Sequence, residues 1–446
     1  MTSLPEAFVA RIRKQFPEKA DSLIDALDES PRTSLHINTA KPFKLWNDVQ
    51  PIGWLENGVM LIERPSFTLD PLFHAGCYYP QESSSMILDH VLRSVYKDKR
   101  ELRCLDLCAA PGGKSLIISE FLGKEGRLIS NEMNRTRNAI LRENLIKWGA
   151  SNVIVTANEP SAFSSVSDYF DCIVVDAPCS GEGMFRKDID ARKEWSIDNV
   201  KLCSTRQSKI LDDIIPALKM GGYLIYSTCT FAEEENEQNC LKVLDSGQFG
   251  SVKIDVPDEW NIEQIEKDGL NALRFFPGKI PGEGFYISVF KKLNGGKVNN
   301  TKGNRIFEKA AANVVQKVSG FAEFSGHLIE NKDKDIFASI FSSVELNTLT
   351  ETLFITMPGV ELGRLIREDF IPAHALATSR MSSDYFPSYE LSLEDAQNFL
   401  RGDQIVIDST AGWNLLKFQG HALGWAKVMK NRMNNYYPKE YRIRMR

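Results

Sequence analysis

The sequence lacks the cysteine patterns of a zinc site or a disulfide framework. None of its eight cysteines forms a CxxC pair or alternates with histidine. The nearest two are Cys104 and Cys108, and no second pair exists to complete a tetrahedral site. We therefore expect no metal. Scattered free thiols in a chain of this size indicate a reducing compartment, which favours the cytoplasm.

Long apolar runs are also absent. No stretch approaches the roughly 20 residues of a transmembrane helix, and the first segment carries charge too early for a signal peptide. No internal repeat or low-complexity block is present. The net charge of -5 neither demands nor excludes a polyanionic partner. We expect no membrane partner, and the 446 residues suggest two to four domains.

What the sequence does contain is an alternation of short apolar strands with helical patterns. The alternation predicts an α/β fold with a doubly wound parallel sheet, to which residues 272–276 and 285–290 would add two strands. Ser83 or Ser84 is expected to cap a helix over 86–95 and leave its first amides open to an anion. A helix through 210–218 is expected to stop at Gly221-Gly222. The five strands are predicted over residues 102–107, 126–131, 152–156, 172–175 and 223–226.

The turn after the first of these strands is made of small residues and invites three interpretations. A P-loop needs a glycine where Cys108 stands, and a dinucleotide fingerprint needs GxGxxG, of which only Gly112 and Gly113 are present. A loop for S-adenosylmethionine needs small residues but no phosphate cradle, so this interpretation survives. Glu132, at the end of the second strand, suits two ribose hydroxyls, although a plain surface glutamate stays an alternative.

Two thiols follow the fourth and fifth strands. Cys179 stands in the turn that begins with Asp176, and Cys229 lies between two threonines. Because neighbouring parallel strands end at the same edge of a sheet, we expect both sulfurs at one ligand-binding edge. A thiolate that adds to C6 of cytosine makes C5 nucleophilic enough to accept a methyl group, after which the thiolate leaves.

The residues around the thiols suit that chemistry. Asp176 could hydrogen-bond the N3/N4 edge of the flipped base, and Lys114 could either neutralise charge near O2 or orient Asp176. Methyltransferases for exocyclic amines usually place an aromatic residue where Cys179 stands, so the turn favours methylation of carbon. The chemistry alone leaves open which cysteine attacks.

The motifs at residues 107–114, 176–181 and 227–230 resemble those of the Sun/nucleolar-protein (NSUN) family of RNA cytosine-5 methyltransferases. The resemblance spans residues 77–290 and implies a Rossmann-like S-adenosylmethionine methyltransferase core. It implies that Cys229 is the nucleophile and that Cys179 assists release. The continuation at 181–187 and the longer C-terminus resemble the RsmF-type branch, which modifies small-subunit ribosomal RNA. It also implies contacts to the cofactor from Cys108, Ala109, Ala110, Pro111, Gly112, Gly113, Lys114, Glu132, Arg137, Glu159 and Asp176, although the family usually has Asp where Glu159 stands.

The domain organisation follows from changes in pattern along the chain. We expect a small N-terminal α/β domain over 1–75, the methyltransferase domain over 76–293, a polar linker over 294–304 and a C-terminal domain over 305–446. Arg32 and Lys41 flank the predicted strand of the first domain, and surface charge and phosphate contact both stay open for them. The resemblance places a PUA-like RNA-binding module at about 372–446.

The last thirty residues concentrate positive charge in an otherwise acidic chain. Eight Lys or Arg residues stand against one acid there, with Tyr436 and Tyr437 interleaved as candidates for base stacking. We predict a monomeric rRNA cytosine-5 methyltransferase whose partner is 16S ribosomal RNA or the small ribosomal subunit. The alternatives are a transfer RNA substrate and a ribosome-assembly factor that binds RNA without turnover.

Overall fold

A small antiparallel sheet with two preceding helices opens the computed structural model, which describes residues 3–97, 101–295, 305–367, 369–382, 384–430 and 432–445. Its strands pair in the order β2-β3-β1-β4. Because β4 follows residue 75, the sheet extends beyond the predicted end of the first domain. The elements are α1 (Glu6–Gln15), α2 (Ala20–Leu27), β1 (Thr33–Ile37), β2 (Gln50–Ile52), β3 (Leu55–Leu61), α3 (Pro71–His74) and β4 (Tyr78–Pro80).

The predicted parallel sheet is confirmed, with its five strands in the order β7-β6-β5-β8-β9. Apolar side chains from both faces of the sheet form two separate cores, as expected for a sheet buried on both sides. The elements are α4 (Ile87–Val95), β5 (Arg103–Asp106), α5 (Gly113–Leu122), β6 (Arg127–Asn131), α6 (Arg135–Trp148), β7 (Val153–Thr156), β8 (Phe170–Asp176), α7 (Ile189–Glu194), α8 (Ile197–Ile214) and β9 (Leu218–Thr228).

The two additional strands predicted beyond the parallel sheet are also present. β13 pairs antiparallel with β9, and β12 pairs with β13. The expected linker at 294–304 begins shortly after β13, and its residues 296–304 lie outside the described residues. The elements are α9 (Glu237–Asp245), β10 (Phe249–Val252), β11 (Glu263–Lys267), β12 (Leu270–Phe275) and β13 (Phe285–Lys292).

The C-terminal region holds two further sheets, one of β14-β15-β16-β18-β19 and one of β20-β21-β22-β23. One of its strands, β17, leaves this region and pairs antiparallel with β7 at the edge of the central sheet. The elements are β14 (Glu308–Lys309), α10 (Ala312–Val318), β15 (His327–Glu330), β16 (Asp335–Ser339), α11 (Ser343–Leu349), β17 (Ile355–Met357), β18 (Val360–Ile366), β19 (Asp369–Pro372), α12 (His374–Thr378), β20 (Ser388–Glu390), α13 (Leu393–Arg401), β21 (Gly412–Phe418), β22 (His421–Met429) and β23 (Arg432–Asn435).

Two local predictions were wrong. The helix expected to reach Gly221 ends at Ile214, because Pro216 in the following 3₁₀ turn has no N–H to continue it, and both glycines lie inside β9. Neither Ser83 nor Ser84 caps α4, whose N-cap residue is Met86, and Ser84 begins the 3₁₀ turn that precedes the helix. The carboxylate of Glu82 accepts the amides of Ser84 and Ser85 at 2.9 Å each, so these amides are not open to a ligand.

Candidate active site

The loop from β5 to α5 brings the backbone close to the carboxyl edge of the sheet. Gly112 has φ +123°, a conformation that other residues rarely adopt, and a Cβ on Gly113 would stand 2.9 Å from the side chain of Gln81. Helix α6 supports the loop from below, since Arg137 Nη2 donates to Ala110 O at 2.7 Å and Asn144 donates to the next carbonyl. Gly112 is therefore required by its backbone conformation, whereas a side chain at position 113 would displace Gln81.

The predicted ribose ligand Glu132 is buried beside this loop. Its Oε1 accepts the amide of Asn134 at 2.9 Å, and its Oε2 lies 3.2 Å from Arg137 Nη1. A cavity of about 540 Å³ opens here, bordered by Cys108, Glu132, Arg137 and Glu159 among others. Those four predicted cofactor residues therefore meet at one cleft.

A second cavity of about 260 Å³ lies on the other side of Cys108. It is bordered by the rest of the predicted set except Gly112 and Cys179, which border neither cavity. Gly112 contributes only its backbone conformation. Tyr79, Met184 and Phe285 also border this cavity and were not foreseen, because a single aromatic or Met gives no sign of a ligand in the sequence. The predicted residues at this cavity are Cys108, Ala109, Ala110, Pro111, Gly113, Lys114, Asp176 and Cys229.

The two predicted cysteines lie side by side at the ends of β8 and β9. Cys179 Sγ is 3.1 Å from Cys229 Sγ, and both thiols are free and partly exposed. Cys229 borders the smaller cavity, whereas Cys179 borders neither cavity and contacts Cys229 from the adjoining loop. The hydrogen bond with Cys229, together with burial, raises the pKa of Cys179 well above its ordinary value.

Lys114 and Asp176 form an ion pair at the floor of the same cavity. Lys114 Nζ is 2.8 Å from Asp176 Oδ2, and Ser227 Oγ donates to Asp176 Oδ1 at 2.9 Å. Burial alone would lower the pKa of Lys114, but the charge and hydrogen bond of Asp176, together with the charges of Asp106 and Cys229, outweigh burial and raise that pKa. Of the two roles considered for Lys114, this geometry suits the orientation of Asp176.

One buried carboxyl group below the loop has an incomplete set of partners. Asp106 Oδ2 accepts from Ser115 Oγ at 2.6 Å, whereas Oδ1 has no hydrogen-bond partner among the residues of the described ranges. Burial raises the pKa of Asp106 to about 7. S-adenosylmethionine is a small cationic molecule with a nucleoside end. It fits the three features found here, which are the buried carboxyl group of Asp106, the glycine-bearing loop after β5 and the cleft that Glu132 borders.

Of the two tyrosines in the basic tail that were expected to be open for base stacking, only one is exposed. Tyr436 is partly exposed and packs on Trp413, but Tyr437 is buried against Phe399 and His374, so the prediction that it is open for base stacking was wrong.

Among the helices of the described part of the chain, none combines the length and apolarity needed to span a bilayer. In the same part, no three His, Cys, Asp or Glu side chains group as metal ligands would.

The sheet order, the glycine-bearing loop and the carboxylate cleft define a methyltransferase that uses S-adenosylmethionine. Three family models match the chain, together over three quarters of its length. They are described as the N-terminal domain of 16S rRNA methyltransferase RsmF (residues 4–83), 16S rRNA methyltransferase RsmB/F (94–291) and the methyltransferase RsmF PUA domain (386–443). The chain belongs to the RsmB/F family of ribosomal RNA methyltransferases.

Curated relatives and solved structures agree with this assignment. Ribosomal RNA small subunit methyltransferase F of Escherichia coli strain SE11 is 29% identical, over 98% of this chain and 96% of the relative. A methyltransferase homolog protein from Pyrococcus horikoshii has a TM-score of 0.55 at 26% identity, covering 65% of this chain and 95% of that one. NSun6 from the same organism, solved with the S-adenosylmethionine analogue sinefungin, has a TM-score of 0.57 at 19% identity, with 66% and 99% covered.

Proposed function

We propose that this enzyme methylates C5 of cytosine in 16S ribosomal RNA through a covalent bond between Cys229 and C6. The observation that carries the proposal is the pair of thiols 3.1 Å apart beside the cavity that the cofactor loop borders. A single thiol would suffice for attack. A second thiol in contact with the first supports a reaction in which a bond to sulfur must form and then break.

Each residue around the base has its own role in the proposed reaction. Cys229 loses its proton and its Sγ bonds to C6, so that the electron pair of the C5=C6 bond moves to C5 and can form a bond from C5 to the methyl group. S-adenosylmethionine, when bound, supplies an electrophilic methyl group. Loss of the C5 proton to a base then restores the C5=C6 bond and expels Cys229 Sγ, a step that Cys179 assists from its position beside that sulfur. Asp176, oriented by Lys114 and Ser227, holds the N3/N4 edge of the base.

Trapping of the RNA on a denaturing gel tests the two roles. We expect Cys179→Ala to accumulate a covalent protein–RNA adduct and Cys229→Ala to form none. Cys77→Ala is the matched control, because this thiol is buried in the apolar core that the N-terminal sheet shares with the C-terminal region, and the variant should behave as the wild type. The opposite pattern for Cys179 and Cys229 would exchange their roles, and no adduct with either would refute the covalent route.

The substrate is tested separately. Labelled cofactor offered with naked 16S rRNA, purified small subunits and transfer RNA should transfer its methyl group to one of the first two. Mapping of 5-methylcytosine in a deletion strain then identifies the nucleotide, and labelling of transfer RNA alone would contradict the proposed substrate. Eight free cysteines support a reducing compartment such as the cytoplasm as the place of action.

A further inference from the structure

Two consecutive polar residues after β9, Glu235 and Asn236, are fully buried beside the thiols. They lie within an acidic stretch, residues 233–237, that looks in the sequence like a solvated loop. Buried carboxylates and amides require partners, because an unpaired one costs about 1–3 kcal/mol or more. The partners of these two residues lie in the two loops that carry the cysteines.

Glu235 holds the loop of Cys179. Its Oε2 accepts the amide of Ser180 at 3.0 Å and the side chain of Gln207 at 2.8 Å. Its Oε1 accepts the hydroxyl of the same serine. Gln207 Nε2 donates as well to the carbonyl of Pro178 at 3.0 Å. The residues on both sides of Cys179 are therefore fixed by Glu235, one directly and one through Gln207.

Asn236 holds the loop of Cys229 in the same manner. Its Nδ2 donates to the carbonyl of Thr230 at 2.9 Å, and its Oδ1 accepts from Thr228 Oγ1 at 2.6 Å. These are the neighbours of Cys229 on its two sides. The two loops are joined to each other directly, since the hydroxyls of Ser180 and Thr230 are hydrogen-bonded at 3.0 Å. Thr230 Oγ1 also donates to Glu235, over a longer distance of 3.3 Å.

We infer that Glu235 and Asn236 are positioning residues with separate tasks: Glu235 places the thiol for release, and Asn236 places the thiol for attack. This inference rests on the proposed function, in which the two cysteines act at different steps. Neither residue borders either of the two cavities, so each acts through the loop that it holds. Misplacement of a reacting group by about 1 Å can cost about a hundredfold in rate, so both tasks are measurable.

The release task predicts that Glu235→Ala, with Cys179 intact, accumulates the covalent RNA adduct as Cys179→Ala does. The value of kcat should fall about tenfold to a hundredfold, whereas the affinity for S-adenosylhomocysteine stays unchanged. Glu235→Gln should restore turnover, because a glutamine can accept from the Ser180 amide and donate to the hydroxyls. If the alanine variant does not fold, Gln207→Met removes the bond to the Pro178 carbonyl and should accumulate adduct more weakly.

The attack task predicts the reverse effect for Asn236→Ala. In a Cys179→Ala background, where the adduct cannot resolve, this change should slow adduct formation about tenfold or more. Glu235→Ala in the same background should leave the rate of formation close to that of Cys179→Ala alone. The two neighbouring substitutions thus separate attack from release.

Glu237→Ala is the matched control. This buried carboxylate opens α9 one residue further along and pairs with Arg274 on β12, away from both cysteine loops. The control should lower the unfolding midpoint and leave adduct levels as in the wild type. If Cys179→Ala itself traps no adduct, the proposed function fails and the inference with it. If Cys179→Ala traps adduct but Glu235→Ala does not, or if Asn236→Ala forms adduct at full rate, the inference alone is refuted.

Discussion

Lys41 provides the sharpest test of the physical picture, because its amine is buried where three parts of the chain meet. Lys41 Nζ donates to the carbonyl of Ala75 at 2.8 Å and to that of Lys147, on α6, at 2.6 Å. The C-terminal region adds Thr378, whose hydroxyl donates to another carbonyl of α6 at 2.8 Å. A phosphate contact, which the sequence left open, is excluded by this burial.

The size of the expected change in the free energy of unfolding with pH follows from the pKa of Lys41. Burial lowers the pKa of Lys41 from 10.5 to about 7, so the unfolded chain binds the proton more tightly than the native protein does. The free energy of unfolding must therefore rise as the pH increases from 7 toward 10.5. At about 1.4 kcal/mol per pH unit, and with the side chain already half neutral at pH 7, the gain between pH 7 and 9 is about 2 kcal/mol.

Lys41→Met removes this pH dependence. The variant buries no charge, but it leaves the carbonyls of Ala75 and Lys147 without a donor, at about 1–3 kcal/mol each. Urea unfolding of both proteins at pH 7, 8 and 9 should therefore show the wild type gaining about 2 kcal/mol over the variant. Lys193→Met, at an exposed lysine, is the control and should show no such divergence. Parallel curves for Lys41→Met and the wild type would refute the reasoning.

Two further predictions concern the cofactor loop. The folded pKa of Asp106, about 7, lies above the unfolded value of 3.8, so its contribution to stability is lost as the pH rises from about 4 to 7. Urea unfolding without cofactor should show the free energy of unfolding of Asp106→Asn rising relative to that of the wild type by up to about 3 kcal/mol between pH 5 and 8. A difference between the two proteins that does not change with pH would contradict this. Lys114→Met leaves Asp176 with Ser227 alone and should lower the rate of methyl transfer about a hundredfold in an assay with labelled cofactor; an unchanged rate would exclude the orienting role.

The parts of the site that could be predicted are those that strand order brings together. The adjacency of Cys179 and Cys229 follows from two parallel strands that end at one edge, and the structure places the sulfurs 3.1 Å apart. The small-residue loop after β5 could be predicted for the same kind of reason. Its composition limits the backbone conformation locally, without reference to distant residues.

The residues that were missed depend on distant partners. Three consecutive glutamates stand at 233–235, and only the last is fully buried, because Ser180 and Gln207 happen to face it. Tyr437 is buried because α13 and α12 supply Phe399 and His374 around it. No local pattern distinguishes such a residue from an exposed neighbour of the same type.

The sequence by itself determined the alternation of strands and helices, the small-residue loop after β5 and the edge at which both thiols stand. These features depend on periodicity and on turn chemistry, which act over a few residues. Only the tertiary structure decided that β17 joins the central sheet, that Lys41 is buried and that Glu235 and Asn236 each hold one cysteine loop. Burial and hydrogen bonding between separate elements, which lie from 6 to 201 residues apart along the chain, produce those features, and neither is encoded in the spacing of any one segment.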